Sequence, residues 1–525
     1  MLCAIPPSIL IADPFVEPAK HKQVILETVF DYLVIGTGPS ALSAARALPR
    51  AASKAVIDFG VSTPDSVKKA IESFNAGIDH QLIYTMSSKI LRNSTFNPFS
   101  FRKKLYWGSA FVYSDYPTES KSLKSSQTFG GFSLVWGCTA SKPDTQFLET
   151  LPLSVISDYE DSVTSVSQIF EFHESNSTLV QPRLLPTSDF SLNFLRRTQS
   201  GLRLQIEPSR IALNLFKDWN VSQCLECQLC QVGCPVNITW TSQPEFKRLM
   251  MSDSPVVLIP GEAVSFSESQ NSVTVSVQEP TGNIIEVSGH RLILSGGPLS
   301  TAKLLLSSQV VPEVTIRDSQ TAAVIGFTFW RNNPSTVKHS LAEVFLKANF
   351  KRFSIALQLY GYAQWIEGKF RNGSFLTRAF TYVSSVFTNR FFVGLMYFPE
   401  ELSGRIKLME NEFRIGRSLA SLVRIFFYHV ILFLRLLKIG VLINPLPLLF
   451  PVGGGNHIGS SFPSNFLLES DSSSSDTFGR TFGMNRVHIV DSSSLHRLPV
   501  GSVTLTSMAF TDLICRRIGK DLDNF

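Results

Sequence analysis

A chain of 525 residues is too long for one simple core, so two domains, successive or interleaved, are expected, and 44% hydrophobic against 17% charged residues is lean in charge for a soluble protein. The net charge of +6 makes no case for nucleic acid, and no segment reaches the ~18 uncharged apolar residues of a membrane-spanning helix. Four of the seven cysteines fall between Cys224 and Cys234, which argues against a disulfide framework and for a metal or redox site in a reducing compartment.

In chain order, Met1 to Pro7 lacks a basic region ahead of an apolar one, so no signal peptide is expected and the location is read as cytoplasmic. Residues 27–60 form a β-α-β unit. The apolar run Tyr32 to Ile35 reads as a buried strand, Gly36 and Gly38 break it, and Ala41 to Leu48 has helical composition. This is G-x-G-x-x-A in the setting that gives the pattern meaning. Gly36 allows the tight turn, Gly38 lets backbone approach a pyrophosphate, and Ala41 permits close helix–strand packing. The next strand, Ala55 to Phe59, carries Asp58, where an acidic side chain accepts hydrogen bonds from a ribose. A polar insertion to about residue 125 follows, in which the Asn93 glycosylation triplet is read as meaningless. Gly130 and Gly131, followed by Trp136, Gly137 and Cys138, suggest backbone folded against a flat ligand, or an ordinary glycine loop.

Residues 145–220 read as helices and loops. Four strand-like runs between Val256 and Val287 are expected to form a small antiparallel meander. It feeds the strand Arg291 to Leu294 and a second glycine turn at Gly296 and Gly297. Residues 311–450 read as strand-like, then helical from about Ile415 to Ile443, followed by His457 in a glycine loop, a serine patch at Ser470 to Ser475, the strand Arg486 to Asp491 and a last helix, Val503 to Ile518.

Three glycine segments with the blocks around His457, Asp491 and Pro499 to Thr504 resemble, in order and spacing, the glucose–methanol–choline (GMC) family of FAD-dependent oxidoreductases. Trp136-Gly137 and the cysteine run are similar to a bacterial branch often found with polysaccharide synthesis. The resemblance implies an α/β fold, with a Rossmann-type FAD-binding domain (parallel sheet plus antiparallel meander) interleaved with an α+β substrate domain. The first would comprise 27–150, 254–310 and 452–525, and the second 151–253 and 311–451. It also implies hydride transfer from the CH–OH group of an alcohol or sugar, lipid-linked or a polysaccharide precursor, to the flavin. His457 stands at the family's active-site histidine, a role that suits a neutral imidazole; otherwise it is a structural histidine. The second position, usually His or Asn, falls on Val500 or Ser502, a departure that puts ordinary alcohol oxidation in doubt. Asp491 matches the aspartate near the ribityl–phosphate chain and Val264 the valine whose backbone holds adenine. His496 is off register and read as structural.

Cys224, Cys227, Cys230 and Cys234 have the C-x2-C-x2-C-x3-C-P spacing of bacterial ferredoxins, whose first three thiolates serve one cluster. A [4Fe–4S] centre would take Cys234 or a remote thiol such as Cys138 as its fourth ligand. Structural zinc, a metal-free loop or a disulfide pair are the alternatives. The segment 415–450 is apolar with basic edges, and residues 338–438 hold 15 Lys+Arg against 6 Asp+Glu. It is read either as lying in a bilayer interface at the inner membrane face or as a buried helix. Two rivals to alcohol oxidation follow: a flavin and iron–sulfur protein passing electrons to a double bond, quinone or protein acceptor, and a flavoprotein without turnover.

Overall fold

The computed structural model describes residues 28–60, 112–113, 123, 125–126, 128–143, 145–173, 189–197, 202–214, 230, 234, 238–252, 256–332, 339, 341–361, 390–410, 412–455, 457–464, 474–481 and 483–522. The expected N-terminal lead-in, almost all of the polar insertion, Cys224, Cys227 and most of the serine patch lie outside them. The first elements are β1 (Val29–Ile35), α1 (Pro39–Ala47), β2 (Lys54–Asp58), α2 (Leu153–Ser167) and β3 (Leu204–Pro208). Next come β4 (Val256–Pro260), β5 (Glu262–Glu268), β6 (Val273–Gln278), β7 (Ile284–Leu294) and α3 (Pro298–Ser307). The middle of the chain supplies β8 (Glu313–Asp318), β9 (Thr321–Thr328), β10 (Val344–Asn349), β11 (Ser354–Tyr360) and β12 (Phe391–Tyr397). The last are β13 (Arg405–Met409), β14 (Phe413–Gly416), α4 (Leu419–Lys438), β15 (Val441–Ile443), β16 (Ile458–Gly459), β17 (Val487–Ile489) and α5 (Thr504–Leu522).

One seven-stranded sheet runs β4-β2-β1-β7-β6-β5, with β17 also paired to β7. β1 lies parallel to both β2 and β7, as a mononucleotide-binding unit requires. Alternate residues of β1 enter opposite cores. Tyr32 and Val34 pack with α1, α2 and α5, whereas Leu33 and Ile35 pack with α3 and the meander. That two-sided burial explains the unbroken apolar run in the sequence.

Two details differ from the sequence reading. Val256–Pro260 does not join the meander but pairs parallel to β2 at the sheet edge, leaving β5, β6 and β7 as the antiparallel part. The run ending at Val287 and the strand Arg291 to Leu294, read as separate, form one strand, β7, of 11 residues. Gly289 is there for packing, because a Cβ would lie 2.7 Å from the Leu33 side chain.

A second seven-stranded sheet is antiparallel, in the order β15-β9-β12-β11-β10-β3, with Leu448–Leu449 also paired to β9. β3 falls within a stretch read as helices and loops. One face of this sheet carries Val324, Leu357, Phe392 and Met396 against the buried side of α4. The paired residues of the other face include Tyr397, Leu395, Ala356 and Gln358. The expected helix from Ile415 to Ile443 is shorter, since its two ends are strands β14 and β15 folded back onto the body.

Candidate active site

Three glycine turns far apart in sequence meet beside the start of α1. Gly36 has a φ of +93°, which favours glycine, and a Cβ there would lie 3.1 Å from Gly296 Cα. Ser295 Oγ donates to the Ile35 carbonyl at 2.7 Å, tying the second turn to the first. Gly131 packs so closely that its Cβ would lie 3.5 Å from Gly38 Cα. Thr37 joins the pieces: its hydroxyl donates to Asp58 Oδ2 at 2.9 Å and accepts from the Gly130 N–H at 2.8 Å. Space stays open beside Gly38, where a Cβ would meet nothing within 4 Å. Ala41 is fully buried behind the turn.

Asp58 ends β2, and its Oδ1 accepts from the Gly60 N–H at 2.7 Å. Burial pushes its pKa up to about 7, opposed by the bonds from Thr37 and Gly60. At the far edge of the meander, Ser276 pairs Ser265 and Val277 pairs Ala263, so Val264 is the extra residue of a β-bulge. Its carbonyl accepts from Ser307 Oγ at 2.6 Å. Asp491 is almost completely buried and braces the second turn. Oδ2 accepts from the Gly297 N–H at 2.9 Å and Thr301 Oγ1 at 2.6 Å, and Oδ1 from the Ser493 N–H at 2.8 Å. Turns, open space, bulge and terminal carboxylate together fit a dinucleotide.

His457 lies between a four-stranded sheet, β14-β13-β8-β16, and the seven-stranded antiparallel sheet that carries Tyr397. Its carbonyl accepts from the Ser319 N–H at 2.8 Å, and the following β16 pairs with β8. Its ring stacks on Tyr397, with centroids 4.7 Å apart and planes inclined at 23°. Burial lowers its pKa to about 4, with the Gly501 backbone partly opposing. His457 is therefore neutral at pH 7, and its enclosed Nδ1 has no hydrogen-bond partner.

Tyr397 and Tyr360 both donate to Gln358 Oε1, at 3.1 and 3.2 Å. Sequence reasoning missed these three residues. The signal that could have found them is alternation, since Gln358 and Tyr360 share one face of β11 within an otherwise apolar strand. Val500 packs against Tyr397, Phe345 and Ala356, and Gly501, at φ +113°, faces the Phe345 ring. Ser502 is buried beside them in sequence. His496 stands elsewhere, its ring tilted against Phe147 with centroids 4.6 Å apart.

The cysteine run reaches this neighbourhood through a residue outside the run. Cys138, fully buried at φ +54°, shares one apolar cluster with Cys230, and Cys234 packs against it. Burial, reinforced by the two neighbouring thiols, raises the Cys138 pKa. Among the described residues no group of three or more His, Cys, Asp or Glu side chains is arranged to hold a metal ion.

Fold and site together define a mixed α/β protein in which three glycine turns gather at one seven-stranded sheet, beside a four-stranded sheet β14-β13-β8-β16 and a seven-stranded antiparallel sheet. Among solved structures the chain is similar to the crystal structure of pyridoxine 4-oxidase from Mesorbium loti. The TM-score is 0.56 and the identity 12%, over 93% of this chain and 99% of that one. At that identity the likeness shows the shared fold. No family model matches the sequence, and no curated protein sequence matches it.

Proposed function

We propose that the chain is an FAD-dependent oxidoreductase of the glucose–methanol–choline type, acting on a CH–OH group. The observation that carries the reading is His457, neutral, enclosed and lacking a partner at Nδ1, stacked on Tyr397 of the antiparallel sheet. FAD, held by Gly36, Gly38, Asp58, Gly130, Gly131 and the bulged Val264, would supply the hydride acceptor. The neutral imidazole is in the form that takes a hydroxyl proton. Tyr360 and Tyr397 both spend their protons on Gln358, so that the Tyr397 oxygen, beside the His457 ring, is held as an acceptor with which to orient a polar group. Ser502 is assigned the second polar position, because Val500 is committed to the apolar wall around Tyr397. Asp491 acts one step removed, as the brace of the Gly297 turn.

The solved relative in fold is named for oxidising pyridoxine, so a primary alcohol on an aromatic ring belongs in the test panel. Purified protein should show flavin absorption that bleaches when an alcohol is added without air. Protein that takes up no FAD would remove the cofactor from the reading. A flavin that no alcohol bleaches would remove CH–OH oxidation.

A second reading, flavin and iron–sulfur electron transfer to a double bond or quinone, is favoured by one observation: Cys138 lies with Cys230 and Cys234. The described thiols do not by themselves fit a metal, so no step is assigned to a cluster. Iron and sulfide measured in anaerobically purified protein test this reading; zinc without sulfide would support a structural site instead.

A further inference from the structure

α4 presents two opposed stripes. Ile425, His429, Leu432 and Leu436 are buried against the antiparallel sheet. Leu419, Val423, Phe426, Phe427, Val430, Leu434 and Leu437 are exposed, by 37% to 80%. At 3.6 residues per turn these seven lie within about 100° of the helix circumference, a continuous apolar band along its length. An apolar band of this kind on an isolated surface marks an interaction site.

The helix does not cross a bilayer while it is folded this way. β14 before it pairs with β13, and β15 after it pairs with β9, so both ends return to the same body. His429 Nε2 is 2.8 Å from the Asn444 carbonyl, and Arg435 donates to the Asn349 carbonyl at 3.0 Å while stacking on Phe350. The inner stripe is thus held firmly, and the outer one cannot turn inward.

Charge selects the occupant. α4 contains Arg424, Arg435 and Lys438 and no Asp or Glu. Arg424 and Lys438 are exposed and flank the apolar band. A second copy of the helix would bring cations together with no acid to pair them. An anionic lipid surface offers hydrocarbon to the band and phosphates to its flank.

We propose that α4 seats the protein in the plane of an anionic bilayer, with the Leu419–Leu437 band in the interface and Arg424 and Lys438 at the head groups. Flotation of the full chain with vesicles of phosphatidylcholine alone, or containing 30% phosphatidylglycerol (roughly an anionic leaflet), tests it. Binding should appear with the anionic vesicles and weaken at least ~10-fold at high salt. Serine at Val423, Phe427, Val430 and Leu434 together should abolish binding without changing the thermal midpoint, since these side chains are exposed. Arg424→Glu with Lys438→Glu should weaken anionic binding while leaving the fold intact, and it decides the matter if the serine variant is unstable. Equal recovery in the soluble fraction with both vesicle types overturns the proposal. So does a dimer in lipid-free solution that the serine substitutions dissociate, which would identify a second copy as the occupant. Neither readout depends on flavin or turnover.

Discussion

At the scale of single residues, two positions separate chemistry from folding. Gly38 has an ordinary backbone conformation and open space where a Cβ would stand. Gly38→Val should therefore fold with a near-normal thermal midpoint yet lose its flavin, measured as absorbance per protein after reconstitution. Gly36→Val is the contrast, because positive φ and the contact with Gly296 damage the turn itself. For His457, loss of the proton acceptor should slow flavin reduction by about 10²–10⁴-fold in His457→Ala, with flavin content retained. The pH profile carries the sign. Burial depresses the folded pKa to about 4, so the neutral base persists down to that pH. The acid limb of kcat/KM for flavin reduction should fall near pH 4, not near the ordinary 6.5. A limb at 6.5 that persists in His457→Ala would place the titrating group elsewhere.

At the scale of elements, the second glycine turn depends on a side chain from the other end of the chain. Asp491 is the partner of the Gly297 and Ser493 N–H groups and the Thr301 hydroxyl. Asp491→Ala leaves these donors without their acceptor, and each buried group so orphaned costs about 1–3 kcal/mol. Denaturant unfolding should show a loss of at least about 2 kcal/mol, accompanied by weaker flavin retention. Local pattern made β1, α1, β2 and the second turn legible, because each combines a period with its own breaker. It misread elements whose identity depends on partners. β4 is apolar and short like a meander strand, but its neighbour is β2, and nothing in Val256–Pro260 names that neighbour. Ile284 to Val287 and Arg291 to Leu294 read as two runs, yet they are one strand, in which Gly289 leaves room for the Leu33 side chain. In α4 the apolar composition was plain, but the division into a buried and an exposed stripe follows from what packs below it.

At the scale of the whole molecule, buried titratable groups oppose one another. Asp58, Asp318 and Glu343 are each raised to about 7, chiefly by burial. Each stays protonated in the folded state where the unfolded chain is already ionised, so its contribution to stability declines as pH rises from about 4 to 7. His457 and His496, at about 4, and His488, at about 3, act in the opposite sense, losing stability as pH falls below 6.5. Above pH 7 the carboxyl cost stands alone. Asp318 sits where β8 meets β16, with Oδ2 accepting from the Gly453 N–H at 3.1 Å and Oδ1 buried without a partner. Asp318→Asn should raise stability at pH 8 by up to about 4 kcal/mol, a net figure that already includes the attraction to Arg417, and the gain should vanish near pH 4. Thermal melts of both proteins across this range check it; a gain independent of pH would mean that the Asp318 charge is not the cause.

The sequence by itself determined what short-range order can encode: a strand, turn and helix fit for a dinucleotide, a second such turn, and a histidine in a glycine loop. Each rests on residues a few positions apart, where backbone sterics and hydrogen-bonding periods act directly. Tertiary structure alone decided which distant residues share a space. Gly131 lies against Gly38, Asp491 braces Gly297, and Cys138 joins Cys230. Tyr397 and Gln358 become part of the site because strand pairing turns both toward the face on which His457 stacks. These proximities are set by register and packing across the chain, and burial, which moves His457 to about 4 and Asp58 to about 7, exists only once they form.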